Sequence, residues 1–170
     1  MKSKKNLVFL GMMGSGKSSI GSMVAIKLKF NFIDIDKEIE ANSNKSIKKI
    51  FEEKGEEHFR IIEENTTLKK LKIYNSVISL GGGAFINKNI RKEILSNHLS
   101  FWLNWDNKIL LNRIKKSKSR PLAINASDGG LIKLMKERSK IYSKAMYEIK
   151  CDNLTKNEIV NKIVEIYETN

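Results

Sequence analysis

The segment that most restricts the fold of this chain is Gly11 to Ser18, with the sequence GMMGSGKS. It satisfies the pattern G-x-x-x-x-G-K-[ST] at every fixed position. An apolar run, Leu7 to Leu10, precedes it. A segment with helical periodicity, Ser18 to Leu28, follows it, and its expected apolar positions are Ile20, Val24, Ile26 and Leu28. Glycines in such a loop allow a tight turn, so that backbone N–H groups and the N-terminus of the next helix point at phosphate oxygens. The sequence therefore predicts a binding site for a nucleoside triphosphate.

Individual residues of this loop have predicted roles. Lys17 is expected to reach the β- and γ-phosphates, and the hydroxyl of Ser18 is placed to ligate Mg²⁺. A dinucleotide site is the nearest alternative, but the sequence lacks the third glycine of that motif and has a lysine in the turn. The predicted ATP-binding residues of the loop are Gly11, Gly14, Ser15, Gly16, Lys17, Ser18 and Ser19.

Apolar runs that resemble buried strands alternate with helical patterns along the whole chain, which is typical of an α/β fold. The chain has 170 residues and 41% hydrophobic residues, enough for one sizeable core, so we expect a single domain over residues 1–170. Thr155 and Glu158 form a capping-box pattern before the last helix. The five predicted strands are Leu7 to Leu10, Phe30 to Ile35, Val77 to Leu80, Leu99 to Leu103 and Tyr147 to Cys151.

Two segments interrupt this alternation. Residues 36–73 are too many for one crossover helix, so we expect two or three helices that stand off the sheet. Residues 116–130 are polar, contain glycines and carry Arg120 with the single proline, Pro121. A polar loop of this length is uncommon unless it is a lid or a binding loop.

The net charge of +13 suggests a nucleic-acid partner at first, because basic surfaces attract phosphates. The 27 lysines, however, are scattered among Asn and Ile, and no basic block has the length of a nucleic-acid arm. A single cysteine, Cys151, excludes an intramolecular disulfide, and no apolar run approaches the length of about 20 residues that spans a bilayer. We expect a cytoplasmic protein with no membrane or nucleic-acid partner.

Two acidic residues and three glycines follow predicted strands. Asp34 and Asp36 end the second strand, where alternation is expected to aim both carboxylates the same way. Carboxylates there can hold magnesium or accept a hydroxyl proton. Gly81 to Gly83 follow the third strand, and a bare backbone at this point admits a ligand closely. Many switch-type and motor-type nucleotide hydrolases carry an acid there instead, so these classes are disfavoured.

The chain has only five arginines, so their positions are informative. A guanidinium can pair with a carboxylate or phosphate in a bidentate geometry that lysine lacks. Arg91 lies on an ordinary charged helix face, and we expect lysine to replace it without loss. The four candidate ligand-binding arginines are Arg60, Arg113, Arg120 and Arg138.

From about residue 11 to residue 142, these motifs together resemble the shikimate kinase family. The motifs that carry the resemblance are the GMMGSGKS loop, Asp34-Ile35-Asp36, Phe59-Arg60-x-x-Glu63, Gly81-Gly82-Gly83, Arg120-Pro121-Leu122 and Glu137-Arg138-x-x-x-Tyr142. The resemblance implies a three-layer α/β/α fold of the P-loop type, with a five-stranded parallel sheet, a substrate-binding helical segment at about residues 36–63 and a lid at about residues 116–130. It implies transfer of the γ-phosphoryl group of MgATP to shikimate, in the route to chorismate and the aromatic amino acids.

By the same resemblance, Asp36 would orient or deprotonate the attacking hydroxyl, and Lys17 and Arg120 would act with it in catalysis. Glu63 would fix the guanidinium of Arg60, and Asp34 would join Ser18 in the magnesium shell. The adenine would be packed by Arg113, with Arg120 also on the nucleotide. Shikimate would be held by Asp36, Arg60, Gly81, Gly82, Gly83 and Arg138.

The chain departs from the family after the last strand, where the adenine clamp often has an arginine or proline and Cys151 to Thr155 has neither. Two other functions stay open on the sequence. One is a kinase of the same fold that acts on another polyhydroxylated carboxylate, such as gluconate, and the other is a basic, nucleic-acid-binding ATPase. The triple glycine and the Arg120-Pro121-Leu122 lid favour shikimate, and we expect a monomer.

Overall fold

The computed structural model describes residues 5–116 and 126–170. Over these residues the chain forms one five-stranded sheet in the order β2-β3-β1-β4-β5, and every strand pair is parallel. Helices connect successive strands, as parallel pairing requires. The α/β fold with a parallel sheet is therefore confirmed.

The strands are short and the helices lie between them. The strands are β1 (Leu7–Leu10), β2 (Asn31–Asp34), β3 (Ser76–Ser79), β4 (Leu99–Asn104) and β5 (Tyr147–Lys150). The helices of the described residues are α1 (Lys17–Leu28), α2 (Ile35–Ser43), α3 (Ile47–Leu71), α4 (Lys88–Asn97), α5 (Asn107–Lys116), α6 (Asp128–Tyr142) and α7 (Lys156–Glu168), with a 3₁₀ turn at Ala84–Ile86.

The sheet divides the core into two layers, because alternate side chains of a strand point to opposite faces. Leu7 and Phe9 of β1 pack on one face with the apolar residues of α1 and α7. Val8 and Leu10 pack on the other face with those of the remaining helices. The central strands are buried on both faces, which explains their unbroken apolar runs and confirms the three-layer arrangement.

Most predicted elements are confirmed, with ends shifted by one residue or so. Residues 36–73 hold α2 and α3, and α3 contains a kink at Gly55, where φ is 79°. The capping box of Thr155 and Glu158 is present at the start of α7. One expected apolar position of α1 is wrong: Ile26 is 77% exposed. In the part of the chain that the structure describes, no helix has the length and apolar character needed to cross a bilayer.

The sheet order places the glycine-rich loop at a particular point. β1 lies between β3 and β4, so the chain leaves the carboxyl end of the central strand where the order of strands reverses. Ligands of open α/β sheets bind in the crevice at this point. The ends of β2 and β3 lie beside it, and they carry the acidic residues and the triple glycine.

Candidate active site

The loop after β1 has the geometry of a phosphate cradle. Gly14 and Gly16 have φ of 79° and 87°, a region that favours glycine, and Gly16 is the N-cap of α1 without a side-chain cap. The ammonium of Lys17 donates to the carbonyls of Gly11 and Met12, at 2.9 and 3.0 Å. An anion at this helix N-terminus would meet open backbone donors and a buried lysine.

A cluster of three oxygen-bearing side chains lies beside the cradle. The hydroxyl of Ser18 donates to Asp34 Oδ2 at 2.5 Å and lies 3.4 Å from the hydroxyl of Ser79. Asp34 is also the N-cap of α2, since its Oδ1 accepts the N–H of Lys37 at 3.2 Å. The sequence predicted the Ser18 and Asp34 pair, but Ser79, the last residue of β3, was missed.

Strand alternation was expected to aim Asp34 and Asp36 the same way, and this expectation is wrong. β2 ends at Asp34, and Ile35 begins α2, so Asp36 belongs to the first turn of a helix and not to a strand. Both acidic residues nevertheless line one cavity of about 510 Å³. The N-terminus of α2 favours negative charge there.

The triple glycine is the contact surface for the charged side chains of the site. A Cβ at Gly81 would lie 2.6 Å from Glu63 Oε1 and 2.8 Å from Asp36 Oδ1. A Cβ at Gly83 would lie 2.5 Å from Arg60 Nη1. At Gly82 the nearest groups would be Arg138 Nη1 and the loop N–H of Met13, each at 3.4 Å. Only a backbone without side chains lets these groups approach so closely.

Arg60 is held by two carboxylates of its own helix. Its Nη1 donates to Glu63 Oε2 at 2.7 Å, and its Nη2 donates to Glu56 Oε1 at 3.0 Å. Burial disfavours the charged guanidinium, but Glu63 and Glu56 outweigh it and raise the pKa of Arg60. Burial also raises the pKa of the Glu63 carboxyl, with a contribution from Asp36, against the opposing effects of Arg60 and Arg138. The predicted Arg60–Glu63 contact is present.

Arg138 and Tyr142 project from the same face of α6, since they are four residues apart. Arg138 is only 8% exposed, and its Nη1 lies 3.9 Å from the sulfur of Met12. The hydroxyl of Tyr142 donates to the carbonyl of Gly82. Burial raises the pKa of Tyr142 to about 12, so the phenol stays protonated and remains a donor. Tyr142 thus ties α6 to the triple glycine and fixes the position of Arg138.

The cavity combines these charges with an aromatic wall. The rings of Phe51 and Phe59, on α3, lie 4.8 Å apart at 41° and form one side. A polar ligand with one flat apolar face matches such a wall. The other lining residues include Ser18, Asp34, Asp36, Arg60, Glu63, Gly81, Gly82, Gly83 and Arg138.

The opposite side of the glycine-rich loop carries a second aromatic group. The guanidinium carbon of Arg113 lies 3.9 Å from the ring centroid of Trp105, and Arg113 Nη1 donates to the carbonyl of Gly14 at 3.3 Å. The indole of Trp105 donates to the carbonyl of Ser15 at 2.8 Å. Arg113 was predicted, whereas Trp105 was not, because an aromatic residue after a strand is most often part of the core.

Two other arginine predictions have different outcomes. Arg120, with Pro121 and Leu122, lies outside the described residues. Arg91 is not on an ordinary helix face, because its Nη1 donates to the carbonyls of Phe85 and Ile86 at 3.0 and 2.9 Å. These carbonyls belong to the 3₁₀ turn that follows the triple glycine, so Arg91 supports that turn.

The fold and the site define a P-loop phosphotransferase: a phosphate cradle with a buried lysine lies next to a cavity lined by charged side chains. A sequence model of the shikimate kinase family matches residues 13–168. A shikimate kinase of Bacillus subtilis is 41% identical over 172 residues, covering 95% of this chain and 88% of its own. One from Caldanaerobacter subterraneus subsp. tengcongensis is 35% identical over 164 residues, covering 96% of each chain.

Solved structures agree. The shikimate kinase of Acinetobacter baumannii, solved in complex with shikimate, superposes with a TM-score of 0.92 at 27% identity and covers 99% of this chain and 95% of its own. The chain therefore belongs to the shikimate kinase family and is an ATP-dependent kinase. The gluconate-kinase and nucleic-acid alternatives are not favoured by these similarities.

Proposed function

We propose that this protein transfers the γ-phosphoryl group of MgATP to the 3-hydroxyl of shikimate, giving shikimate 3-phosphate and ADP. The reaction would serve the route to chorismate and the aromatic amino acids. The observation that carries the proposal is the convergence of Asp36, Arg60 and Arg138 on the triple glycine, in a cavity that begins at the phosphate cradle. Family membership supports the same acceptor.

The arginines suit the carboxylate of the acceptor. Arg60 and Arg138 come from different helices, yet a guanidinium nitrogen of each approaches the glycine run. Two planar cations at one end of the cavity can bind a carboxylate through several charge-assisted hydrogen bonds. Glu56 and Glu63 hold Arg60 in place before the ligand arrives, which reduces the entropy lost on binding.

Asp36 suits the reacting hydroxyl. Its carboxylate lies at the other end of the glycine run from Arg60, and the cavity is continuous from there to Ser18. A carboxylate in this position can orient the 3-hydroxyl toward the γ-phosphate and accept its proton. Phosphoryl transfer depends mainly on such positioning and on stabilisation of charge, and Lys17 in the cradle would supply part of the latter.

The oxygen-bearing cluster beside the cradle fits a magnesium ion. Ser18 and Asp34 offer a hydroxyl and a carboxylate, which are ligands that Mg²⁺ prefers, and Ser79 lies close enough to join the surrounding shell. When bound with ATP, Mg²⁺ neutralises charge on the β- and γ-phosphates. The present Ser18–Asp34 hydrogen bond holds both groups in position for that ligand.

The remaining assignments complete one kinase domain over residues 1–170. Residues 36–63 form the substrate-binding segment and about residues 116–130 the lid, from which Arg120 would stabilise charge on the transferred group. Closure over bound acceptor would keep water from the γ-phosphate. Gly81 to Gly83 would contact shikimate, and Arg113 would pack on adenine. We propose a cytoplasmic monomer with no nucleic-acid partner.

Steady-state ADP release with MgATP tests the proposal, with shikimate and gluconate as parallel acceptors. Shikimate should stimulate ADP release strongly, and gluconate should leave it at the rate of hydrolysis. Stimulation by gluconate alone would mean that the protein is a kinase whose acceptor is gluconate and not shikimate. No stimulation by either compound would refute the assignment of shikimate as the acceptor.

A further inference from the structure

Lys156 makes an unusual contact with the phosphate cradle. It is the first residue of α7, and its ammonium donates to the hydroxyl of Ser19 at 3.0 Å. Ser19 lies in the first turn of α1, directly after the residues of the GMMGSGKS loop. The contact joins residues 137 positions apart, so the packing of α7 on α1 creates it.

The electrostatic surroundings of Lys156 favour an anion. A cation at a helix N-terminus is unfavourable, since that end of the helix carries partial positive charge. Lys156 stands at the N-terminus of α7, and its ammonium reaches the first turn of α1, a second positive helix end. The nearby acidic residue, Glu158, already accepts the N–H and hydroxyl of Thr155, both at 2.7 Å. Lys156 therefore adds positive charge beside two helix N-termini, an arrangement that favours a bound anion.

The direction in which a triphosphate would lie along the cradle indicates which phosphate would be nearest to Lys156. Successive residues of a helix differ in direction by about 100°. Ser18 faces Asp34 and the acceptor cavity, whereas Ser19 faces Lys156 and does not line that cavity. The γ-phosphate must lie next to the acceptor, so the α-phosphate lies at the far end of the triphosphate.

The adenine base would lie beyond the α-phosphate, farther from the acceptor cavity. The loop after β5, which leads into α7, is tied to the loop after β4, since Asp152 Oδ1 accepts the N–H of Asp106 at 2.6 Å. The latter loop carries Trp105, which contacts Arg113. Lys156 follows this tied loop in sequence, and its ammonium contacts Ser19 in the first turn of α1.

We propose that Lys156 binds the α-phosphate of the nucleotide, and that its contact with Ser19 holds the ammonium ready for that role. This proposal rests on the proposed function in one respect: both assume that the cradle binds ATP. It also supplies a nucleotide contact just after the last strand, in a chain that lacks the arginine or proline expected there. The contact is specific to the phosphate and indifferent to the base.

Calorimetric titration with MgADP tests this, using wild type, Lys156→Ala and Lys156→Arg. Lys156→Ala should raise the Kd for ADP about tenfold at low salt, a typical loss for a hydrogen bond to a charged group. The effect should shrink in about 0.5 M salt, because screening weakens an exposed charge pair. Lys156→Arg should restore most of the affinity. Adenosine, which has no phosphate, should bind wild type and Lys156→Ala with equal affinity when it competes with ADP.

Lys27→Ala is the matched control. Lys27 also joins α1 to α7, through the side chain of Asn161, but it does so at the other end of α1. If Lys156 only fastened the two helices together, both alanine variants would lower the melting temperature and leave the Kd for ADP unchanged.

An ADP affinity of Lys156→Ala within about twofold of wild type, or an equal loss for adenosine, would overturn the proposal. ADP binding does not depend on the acceptor, so a failure of shikimate to stimulate turnover would leave this result intact. Failure of the wild-type protein to bind MgADP would overturn both proposals.

Discussion

Replacement of Gly83 by alanine separates acceptor binding from nucleotide binding at this site. Gly83 has φ −97° and ψ −13°, which alanine adopts without strain. The new Cβ would lie 2.5 Å from Arg60 Nη1, 2.7 Å from Nη2 and 2.8 Å from Cζ. The guanidinium must therefore move, and its 2.7 Å hydrogen bond to Glu63 lengthens or breaks. Because it ends a flexible, part-exposed side chain, this movement disturbs little of the core.

The magnitude follows from these contacts. A hydrogen bond to a charged group is worth about 1.5–3 kcal/mol, and displacement of Arg60 removes at least one such bond to the acceptor carboxylate. We therefore expect kcat/KM for shikimate to fall by roughly 10- to 100-fold. The free energy of unfolding should fall by about 1–3 kcal/mol, because the buried carboxylate of Glu63 loses its pairing with Arg60, although the backbone conformation of Gly83 is allowed for alanine.

The assay is coupled ADP release over a range of shikimate concentrations, with chemical denaturation and MgADP titration of the same preparations. Ser96→Ala is the control, since Ser96 is an exposed residue of α4 and does not line the cavity. It should leave activity unchanged and stabilise the helix slightly. The reasoning is refuted if Gly83→Ala keeps shikimate kcat/KM within about twofold, or if it loses ADP affinity to the same extent.

Three other groups give separate expectations. Tyr142→Phe should lower the free energy of unfolding by about 1–2 kcal/mol in denaturant titrations, since the Gly82 carbonyl loses its donor. His98 is buried, and its Nδ1 accepts the N–H of Asn6 at 3.4 Å, so burial lowers its pKa. The unfolded chain takes up the proton first, and stability should fall as pH drops below 6.5, by at most about 1.4 kcal/mol per pH unit. Unfolding curves of His98→Asn should lack this contribution, and an unchanged slope would contradict the assignment. Burial raises the pKa of Cys151 to about 12, so a thiol reagent at pH 8 should label it only on unfolding; rapid labelling of the native protein would be inconsistent with this.

The fold was predictable because the signals that determine it are local. An unbroken apolar run needs burial on both faces, so the runs of β1 and β4 predicted buried strands, while their order in the sheet came from the structure. The Thr155 and Glu158 capping box fixed the start of the last helix. Ile26 shows where this approach fails: it was counted among the apolar positions of α1, but it lies two residues from Val24, on another face of the helix, and is 77% exposed.

The site was predictable in its residue types more than in its geometry. Asp36 was identified as a site residue, but its direction is set by α2 and not by strand alternation. The glycine run was expected to admit a ligand, and the structure adds that it also admits Glu63 and Arg60. Such contacts join segments about twenty residues apart, and no spacing rule encodes them.

Residues whose role depends on a distant backbone group were the ones that sequence reasoning missed or misjudged. Trp105 bonds to Ser15, 90 positions away, and Ser79 meets Ser18, 61 positions away. Arg91 was judged by its helix alone, although it supports the turn after the triple glycine. In each case the sequence shows a common residue type on an ordinary element, and only the fold reveals the partner.

Asp36→Asn tests the central claim most directly, because the substitution preserves the shape of the side chain and removes its charge and its capacity as a base. Shikimate-dependent kcat and the Kd for MgADP should be measured on the same protein. We predict a loss in kcat of roughly 10²- to 10⁴-fold, the usual contribution of a positioned acid or base, with ADP affinity unchanged. Turnover within a fewfold of wild type would contradict the assignment of this cavity as the place where the shikimate hydroxyl is phosphorylated.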